Sequence, residues 1–554
     1  SRAEKSVTLT PEAAAAIGLA KKVATPFEIM TAILKAEVDL LWFGGIGTYV
    51  KALSETDAEV GDRANDPIRI TADEVGAKVI GEGANLGVTQ KGRIAFSLKG
   101  GRCNSDAIDN SAGVNSSDVE VNIKIALSTV VSSGRLDMPA RNKLLASMTE
   151  DVGELVLRNN YLQSLAISLV TRQGAANRDE LARLMTVLES SGRLNRKVET
   201  LPDDAALAER YAGGQSLTRP EVGVLLSYAK ISLFDDLIET SLPDDAYCTS
   251  ILSNYFPKKM RRPYADDIAG HRLHREIVAT VLANHIINRG GPGFMAWMSD
   301  ATGATVEDIA RAALLTRDSL DLRSYWDRID ALDGEIGGDA QNDLYQRVGT
   351  IYRVFTKLAI DTRLAGGDLS EAVRKLKGAI KSFKGFARAV TPADFSAQID
   401  AEASAMIGAG VPEDLAEDLA ELWSLTVTPE VISIALRADA SLQKATEGYY
   451  KVSEIFRVGR LLSSVEKIPT SDHYDSLARL RSLDLVLKAR RNIVVQALTG
   501  HGDSRDPVAA WRSADTVRIN RLGSELIALT EGDPSLSRLT VAASLLTDIA
   551  QASA

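Results

Sequence analysis

Cysteine is nearly missing from this 554-residue chain: Cys103 and Cys248 are its only two thiols, far apart in sequence. Two distant cysteines form neither a disulfide framework nor a zinc-ligand pattern, and they suit a reducing cytoplasm. An excess of positive charge is also lacking, since 64 Lys and Arg stand against 74 Asp and Glu for a net charge of −10. With basic residues spread throughout, there is no footprint for nucleic acid or an anionic membrane. No run of about 18 apolar residues occurs, and the opening "SRAEKSVTLT" is not a signal peptide. No fixed-period repeat, low-complexity tract or long heptad run is found. What remains is ordinary globular composition, 25% charged and 45% hydrophobic, in a chain long enough for two to four domains.

The pattern along the chain changes near residue 115. Before it, strand and helix alternate, and the fold class expected is mainly α with an N-terminal α/β portion. "LTPEAAAAIGLA" offers Thr10 as N-cap and Pro11 at the first helical position, and "FEIMTAILKA" reads as a second helix. "EVDLLWF" suits a strand buried on both faces. "TADEVGA" reads as a short helix or turn, "KVIG" as a second strand and "GRIAFSL" as a third. From about Ser117 onward the apolar period is helical, with stops at Gly134 and in "AGGQS", "NRGGPG", "GEIGGDAQ" and "GAGVPED". Helix starts are expected at Thr218, Thr305 and Thr391, each with an acidic residue three positions on. The boundaries expected are 1–115, a linking helix over 116–145, and an all-helical region over 146–554 with a break near 330–345.

Short polar chemistry is concentrated between Val79 and Ile125. Ser117 and Glu120 have capping-box spacing, which alone accounts for both residues. A helix N-terminus also favours an anion, and a serine hydroxyl can accept from backbone while donating to a carboxylate. The spacing does not choose between these roles. "WFGGIGTY" and "GEGANLG" each follow an apolar strand, where ligands of open α/β sheets collect. Their glycines suit either close approach to a ligand or tight turns. Neither segment completes GxGxxG or GxxxxGK[ST].

"DLLWFGGIGTYVKA", "GEGANLGVTQKGR" and "DAIDNSAGVNSSDVEVNIKI", in that order, resemble the large NAD-dependent glutamate dehydrogenases of bacteria. The similarity extends loosely through "SLTRPEVGVLLSYAK" and "HREIVATVLANHIINRGG". It implies the C-terminal part of a Rossmann-like coenzyme domain followed by a large all-α region. It also implies NAD as cofactor and L-glutamate and 2-oxoglutarate as partners, in a homo-oligomer such as a tetramer or hexamer. Within Glu82-Gly83-Ala84-Asn85, the resemblance puts Asn85 by the nicotinamide ribose, with Gly83 and Ala84 beside it. Gly44, Gly45 and Gly47 are placed on the loop beside the dinucleotide. Within Asn110-Ser111-Ala112-Gly113-Val114, Asn110 is implied as pocket floor and Val114 as pocket wall, next to Gly113. Ser117 is given the side-chain carboxylate of glutamate. Asp118 and Val119 stand where smaller members carry aromatics, and Asp118 is expected to face away from the anionic substrate.

The family's pocket lysine, its proton-transferring aspartate and its glycine-rich pyrophosphate turn match no segment. No catalytic residue is therefore assigned, and the chain, which opens on Ser1, is expected to be a C-terminal piece, inactive alone. The rival reading is a helical oligomerisation or regulatory scaffold with no ligand of its own. A metal site is not expected: His271, His274 and His285, read as one helix, span about 21 Å at 1.5 Å per residue. Cys103 is expected to be structural, and "PKKMRRPY" a solvated loop.

Overall fold

A computed structural model describes residues 2–465, 467–470 and 472–551. The chain divides into two compact units, Ser1–Gly293 and Phe294–Ala554.

Among its described residues the first unit carries six short strands. β1 (Val7–Thr8) pairs antiparallel with β2 (Val23–Ala24). β3 (Leu40–Phe43) runs parallel to β6 (Val79–Glu82), with Leu40 opposite Val79 and Phe43 opposite Glu82. β4 (Val50–Lys51) runs parallel to β5 (Ile70–Thr71), and single bridges join Val50 to Val88 and Val79 to Arg102. The inward side chains of these strands, Phe43, Val50, Ile70 and Ile80, close with Leu34, Val88 and Phe96 into one apolar cluster. Local chemistry sets the helices around it. Thr10 accepts from the Ala13 N–H at 3.2 Å to start Pro11–Ala16, and Thr25 with Glu28 forms a capping box before Pro26–Lys35.

Four expectations are corrected in this unit. "GRIAFSL" lies in the helix Gln90–Leu98, started by Thr89 Oγ1, which accepts from the Gly92 N–H at 2.9 Å. β3 is buried on one face only, because Leu40 and Trp42 point to the open side. Ser117 does not begin a helix; the helix is Ser111–Ser132 and Asn110 precedes it. "PKKMRRPY" holds a one-turn helix, Lys258–Arg261, anchored by the buried Met260, and Arg261 Nε donates to the Phe256 carbonyl at 2.8 Å. Thr149–Gln173, Arg219–Ile238 and His274–Gly290 are the other long helices of this unit, with Arg219–Ile238 packed on both others.

In the second unit Val306–Ser319 packs on Gly338–Asp361 and Leu369–Val390. The long helix His473–His501 lies against Leu536–Gln551, Thr428–Ala438 and Leu442–Ile455. Thr305 starts its helix as expected, accepting from the Asp308 N–H at 3.2 Å. Thr391 does not: it ends Leu369–Val390, its hydroxyl donating back to Ala387 at 2.8 Å, because a residue before proline avoids the helical region. Glu413–Ala438 holds one 18-residue window apolar enough to cross a membrane, with 67% of it buried, and core helices also meet that criterion.

Candidate functional site

β3 and β6 end side by side, so the loops "GGIGT" and "GANLG" leave the strand pair at the same level. The second loop is pinned from below by Glu82. This carboxylate is completely buried and accepts from Arg93 Nε at 2.6 Å, Arg93 Nη2 at 3.0 Å and the Val88 N–H at 3.0 Å. Burial pushes the Glu82 carboxyl up from its ordinary range, and the bidentate Arg93 opposes that push. Two further carboxylates hold the loop: Asp109 accepts from the Glu82 N–H at 3.1 Å and Asp106 from the Leu86 N–H at 2.9 Å. Leu86 sits at a left-handed φ of 58°, a conformation this anchoring maintains.

At the tip of this loop, Asn110 Nδ2 donates to Asn85 Oδ1. With its oxygen engaged, Asn85 is left with the two protons of Nδ2 to offer a ligand. Asn110 leads into Ser111–Ser132, on which 110, 113, 114 and 117 fall within about 100° of arc at 100° per residue. Val119, Ile123, Ala126 and Val130 form the opposite, buried face. Asn110, Gly113, Val114 and Ser117 therefore make one open stripe, with Ser117 about 10 Å along the axis from Asn110.

Ser117 lies two turns inside the helix, beyond the free N–H groups of its start. Its Oγ donates to the Gly113 carbonyl at 3.3 Å, and Glu120 pairs with Lys124 instead of capping. The helix-terminus argument for an anion at Ser117 thus fails, although the hydroxyl stays at the surface. Asp118 projects about 100° away around the helix, on the side of Tyr255, whose phenol is raised by burial and, to a lesser degree, by this carboxylate.

The glycines divide by role. A Cβ at Gly83 would meet the Trp42 indole at 2.6 Å, so its bare backbone is used by packing. Gly47, at φ 125°, is crowded by Asn65 and Tyr49 and serves a turn. Gly44 has only Trp42 near it at 3.9 Å, and Gly45 has nothing within 4 Å. Ala84 donates its N–H to the Phe43 carbonyl at 3.1 Å, tying the two loops together.

Sequence reading missed the anchors Glu82 and Arg93, although a glutamate closing an apolar strand with an arginine eleven residues on was a usable signal. It also missed Lys230, a lone charge in "LLSYAKISLF". Lys230 Nζ donates to Gln163 Oε1 at 3.2 Å, and Gln163 donates to the Ser111 hydroxyl at 3.3 Å, behind the stripe. Burial pushes this ammonium down to about 7.

Other sequence signals resolve as structure. His271 precedes the helix His274–Gly290 and does not share it with His274 and His285. Its Nδ1 accepts from the Leu273 N–H at 3.1 Å while Nε2 faces the Asn122 carbonyl at 3.1 Å. Among the described residues no group of three or more His, Cys, Asp or Glu is placed to hold a metal ion. Cys103 is buried, and burial raises its thiol to about 11, as an inert cysteine requires.

A parallel strand pair with anchored loops at its C-terminal ends, faced by a helix with an open polar stripe, forms a rim at the place where open α/β sheets collect ligands. Comparison with known proteins gives this rim a family. A family model described as the catalytic domain of bacterial NAD-glutamate dehydrogenase matches residues 1–170. One described as the C-terminal part of glutamate dehydrogenase matches residues 214–548. The NAD-specific glutamate dehydrogenase of Halomonas elongata is 37% identical over 518 residues, 92% of this chain and 32% of that protein. The Pseudomonas aeruginosa protein of the same name is 36% identical over 567 residues, 100% of this chain and 34% of its own length. That of Mycobacterium tuberculosis is 35% identical over 571 residues, 98% of the chain and 34% of its length. The chain belongs to the bacterial NAD-glutamate dehydrogenase family and spans about a third of the length of these curated relatives.

Proposed function

We propose that this chain is the C-terminal portion of an NAD-dependent glutamate dehydrogenase and contributes one side of its coenzyme and substrate cleft. The parent reaction converts L-glutamate, NAD and water to 2-oxoglutarate, ammonium and NADH. NAD, when bound, supplies the hydride acceptor. Asn85 offers its free amide protons to the nicotinamide ribose, held in place by Asn110, beside the open backbone of Gly44 and Gly45. Ser117 turns its hydroxyl from Gly113 to the substrate's side-chain carboxylate, with Val114 as wall and Asn110 as floor. The observation that carries this reading is the contact of Asn110 with Asn85, which joins the loop after β6 to the stripe bearing Ser117.

Residues 1–115 are then the tail of a Rossmann-like coenzyme domain, 116–145 the connection, formed by the rest of Ser111–Ser132 and the start of Met138–Ser147, and 146–554 the helical region. The lysine and aspartate of proton transfer lie on another part of the longer protein, so this chain alone does not turn over glutamate. Open apolar side chains support a missing neighbour: Leu40 is 55%, Trp42 58%, Ile46 86% and Val114 65% exposed around the strand ends. We place the enzyme in the cytoplasm, as a homo-oligomer of the full-length chain.

Steady-state kinetics of the full-length enzyme carrying Ser117→Ala test this. Loss of a hydrogen bond to a charged group is worth about 1.5–3 kcal/mol, so kcat/KM for glutamate falls about 10–150-fold while KM for NAD holds. Unchanged glutamate kinetics exclude Ser117 from the pocket. The packing of Trp42 on Gly83 favours a second reading, a scaffold in which the glycines serve packing alone.

A further inference from the structure

We propose that the second unit carries a binding site for a small, multiply charged anion, in the cavity of about 630 Å³ between the end of Gly338–Asp361 and the helices Thr428–Ala438 and His473–His501. Five cationic side chains line it, Arg363, Arg437, Arg481, Lys488 and Arg491, against two acidic ones, Asp361 and Asp484. The two acids share one ammonium. Lys357 Nζ lies 2.8 Å from Asp361 and also pairs with Asp484. Arg491 is spent too, on the buried Glu430 at 2.9 Å.

Among the described residues the other cations form no ion pair, although Arg481 lies near enough to Asp484 to favour its charged form. Arg437 reaches only the neutral Asn492 amide oxygen, at 3.0 Å, and Arg481 the Asp300 carbonyl, at 3.0 Å. Among the described residues Arg363 and Lys488 have no ion pair. Four cations converge on one concavity against the single negative charge that Lys357 leaves on Asp361 and Asp484, so on balance they repel one another, and an anion bound among them removes that repulsion. Guanidinium groups suit bidentate contact with phosphate or carboxylate oxygens. The Ser433 hydroxyl adds a neutral donor, while those of Thr302 and Thr362 already donate to helix carbonyls, and no aromatic ring lines the cavity, so the charged groups of the ligand are what is recognised.

The backbone at Arg363 is an independent sign. The helix ends in a Schellman turn, with Arg363 N–H donating to Ile360 at 3.0 Å and Leu364 N–H to Ala359 at 2.9 Å. The residue after the C-cap in this turn is ordinarily glycine, yet here it is arginine at φ 57°. The sequence holds a long cation where the backbone favours no side chain at all, as happens where the side chain has work to do.

Calorimetric titration of the full chain at constant ionic strength, with pyrophosphate and with citrate, tests the site. Saturable one-to-one binding of either probe is expected, and the arm that binds tells phosphate from carboxylate chemistry. Arg363→Gly and Lys488→Gln should each weaken it about tenfold, the loss of one charge-assisted contact. Arg363→Gly also keeps or raises the melting temperature, since glycine relaxes the turn, which separates a binding loss from a folding loss. No saturable heat with millimolar amounts of either probe, or equal affinity in wild type and both variants, would overturn the proposal.

Discussion

The rim of the first unit and the interior of the second treat polar groups in opposite ways. In the second unit, Glu430 is buried and takes Arg490 at 2.7 Å on one oxygen and Arg491 at 2.9 Å on the other. The Tyr449 phenol adds a bond at 2.9 Å, and the Arg490 guanidinium lies 4.0 Å over the same ring. Both oxygens of the Glu430 carboxylate are answered within the fold, although Arg490 Nε finds no partner. Beyond β3 and β6, by contrast, the buried pair Glu82–Arg93 holds up a loop on which the Asn85 amide donors remain open. Satisfied charge makes scaffold, and the cleft proposed for the first unit rests on unspent donors carried by an anchored loop. The cavity at Arg363 and Lys488 is where the second unit departs from its own pattern.

That contrast can be broken most severely at Glu430. Glu430→Ala strands two buried guanidinium groups, and losing one partner of such a network costs about 3–5 kcal/mol. Denaturant unfolding should show that loss, while NADH affinity of any full-length variant that still folds stays at the wild-type value. Equal stability would mean the network is solvated and the contrast is false.

A smaller effect is expected at His271, which lies beneath the first unit's helical part. Burial lowers its imidazole below the ordinary value, so the folded state prefers the neutral ring. An unfolded histidine titrates near about 6.5, hence this stability is complete above that pH and is lost as pH falls through the depressed folded value. Urea midpoints should drop between about pH 7 and the acid side of the transition, and His271→Gln should flatten that slope. A slope identical in the variant would remove His271 as its source.

The mildest test is Thr305→Ala, at an exposed cap. Removing an N-cap hydroxyl costs about 1 kcal/mol, to be seen in the same unfolding curves, with no change in ligand binding. A cost as large as that of Glu430→Ala would deny the difference between interior and surface.

Much of the fold was legible where local chemistry and the final structure agree. Thr10, Pro11, Thr305 and Gly134 mark element ends because caps and left-handed turns depend on one or two residues. "GRIAFSL" misled because a short apolar run fits either period, and the deciding signal, Thr89 three residues before Gly92, lay outside it. Ser117 misled because Ser-x-x-Glu also occurs inside helices, and the real start was hidden by Gly113 and Asn115, which look like loop. Burial of β3 was overread since an apolar strand shows that both faces prefer cover, not that this chain provides it. At the site, the motif residues could be named, but the contact of Asn110 with Asn85 and the anchoring by Glu82 and Arg93 depend on approaches across 25 and 11 residues. No local pattern encodes those.

The most direct test of the cleft is NADH fluorescence titration of the full-length enzyme carrying Asn85→Ala. The account predicts affinity about tenfold weaker, the value of one good hydrogen bond to the coenzyme, with stability preserved because Asn85 sits on an exposed loop tip. An unchanged dissociation constant would contradict it and leave the glycines and asparagines of this rim as packing alone.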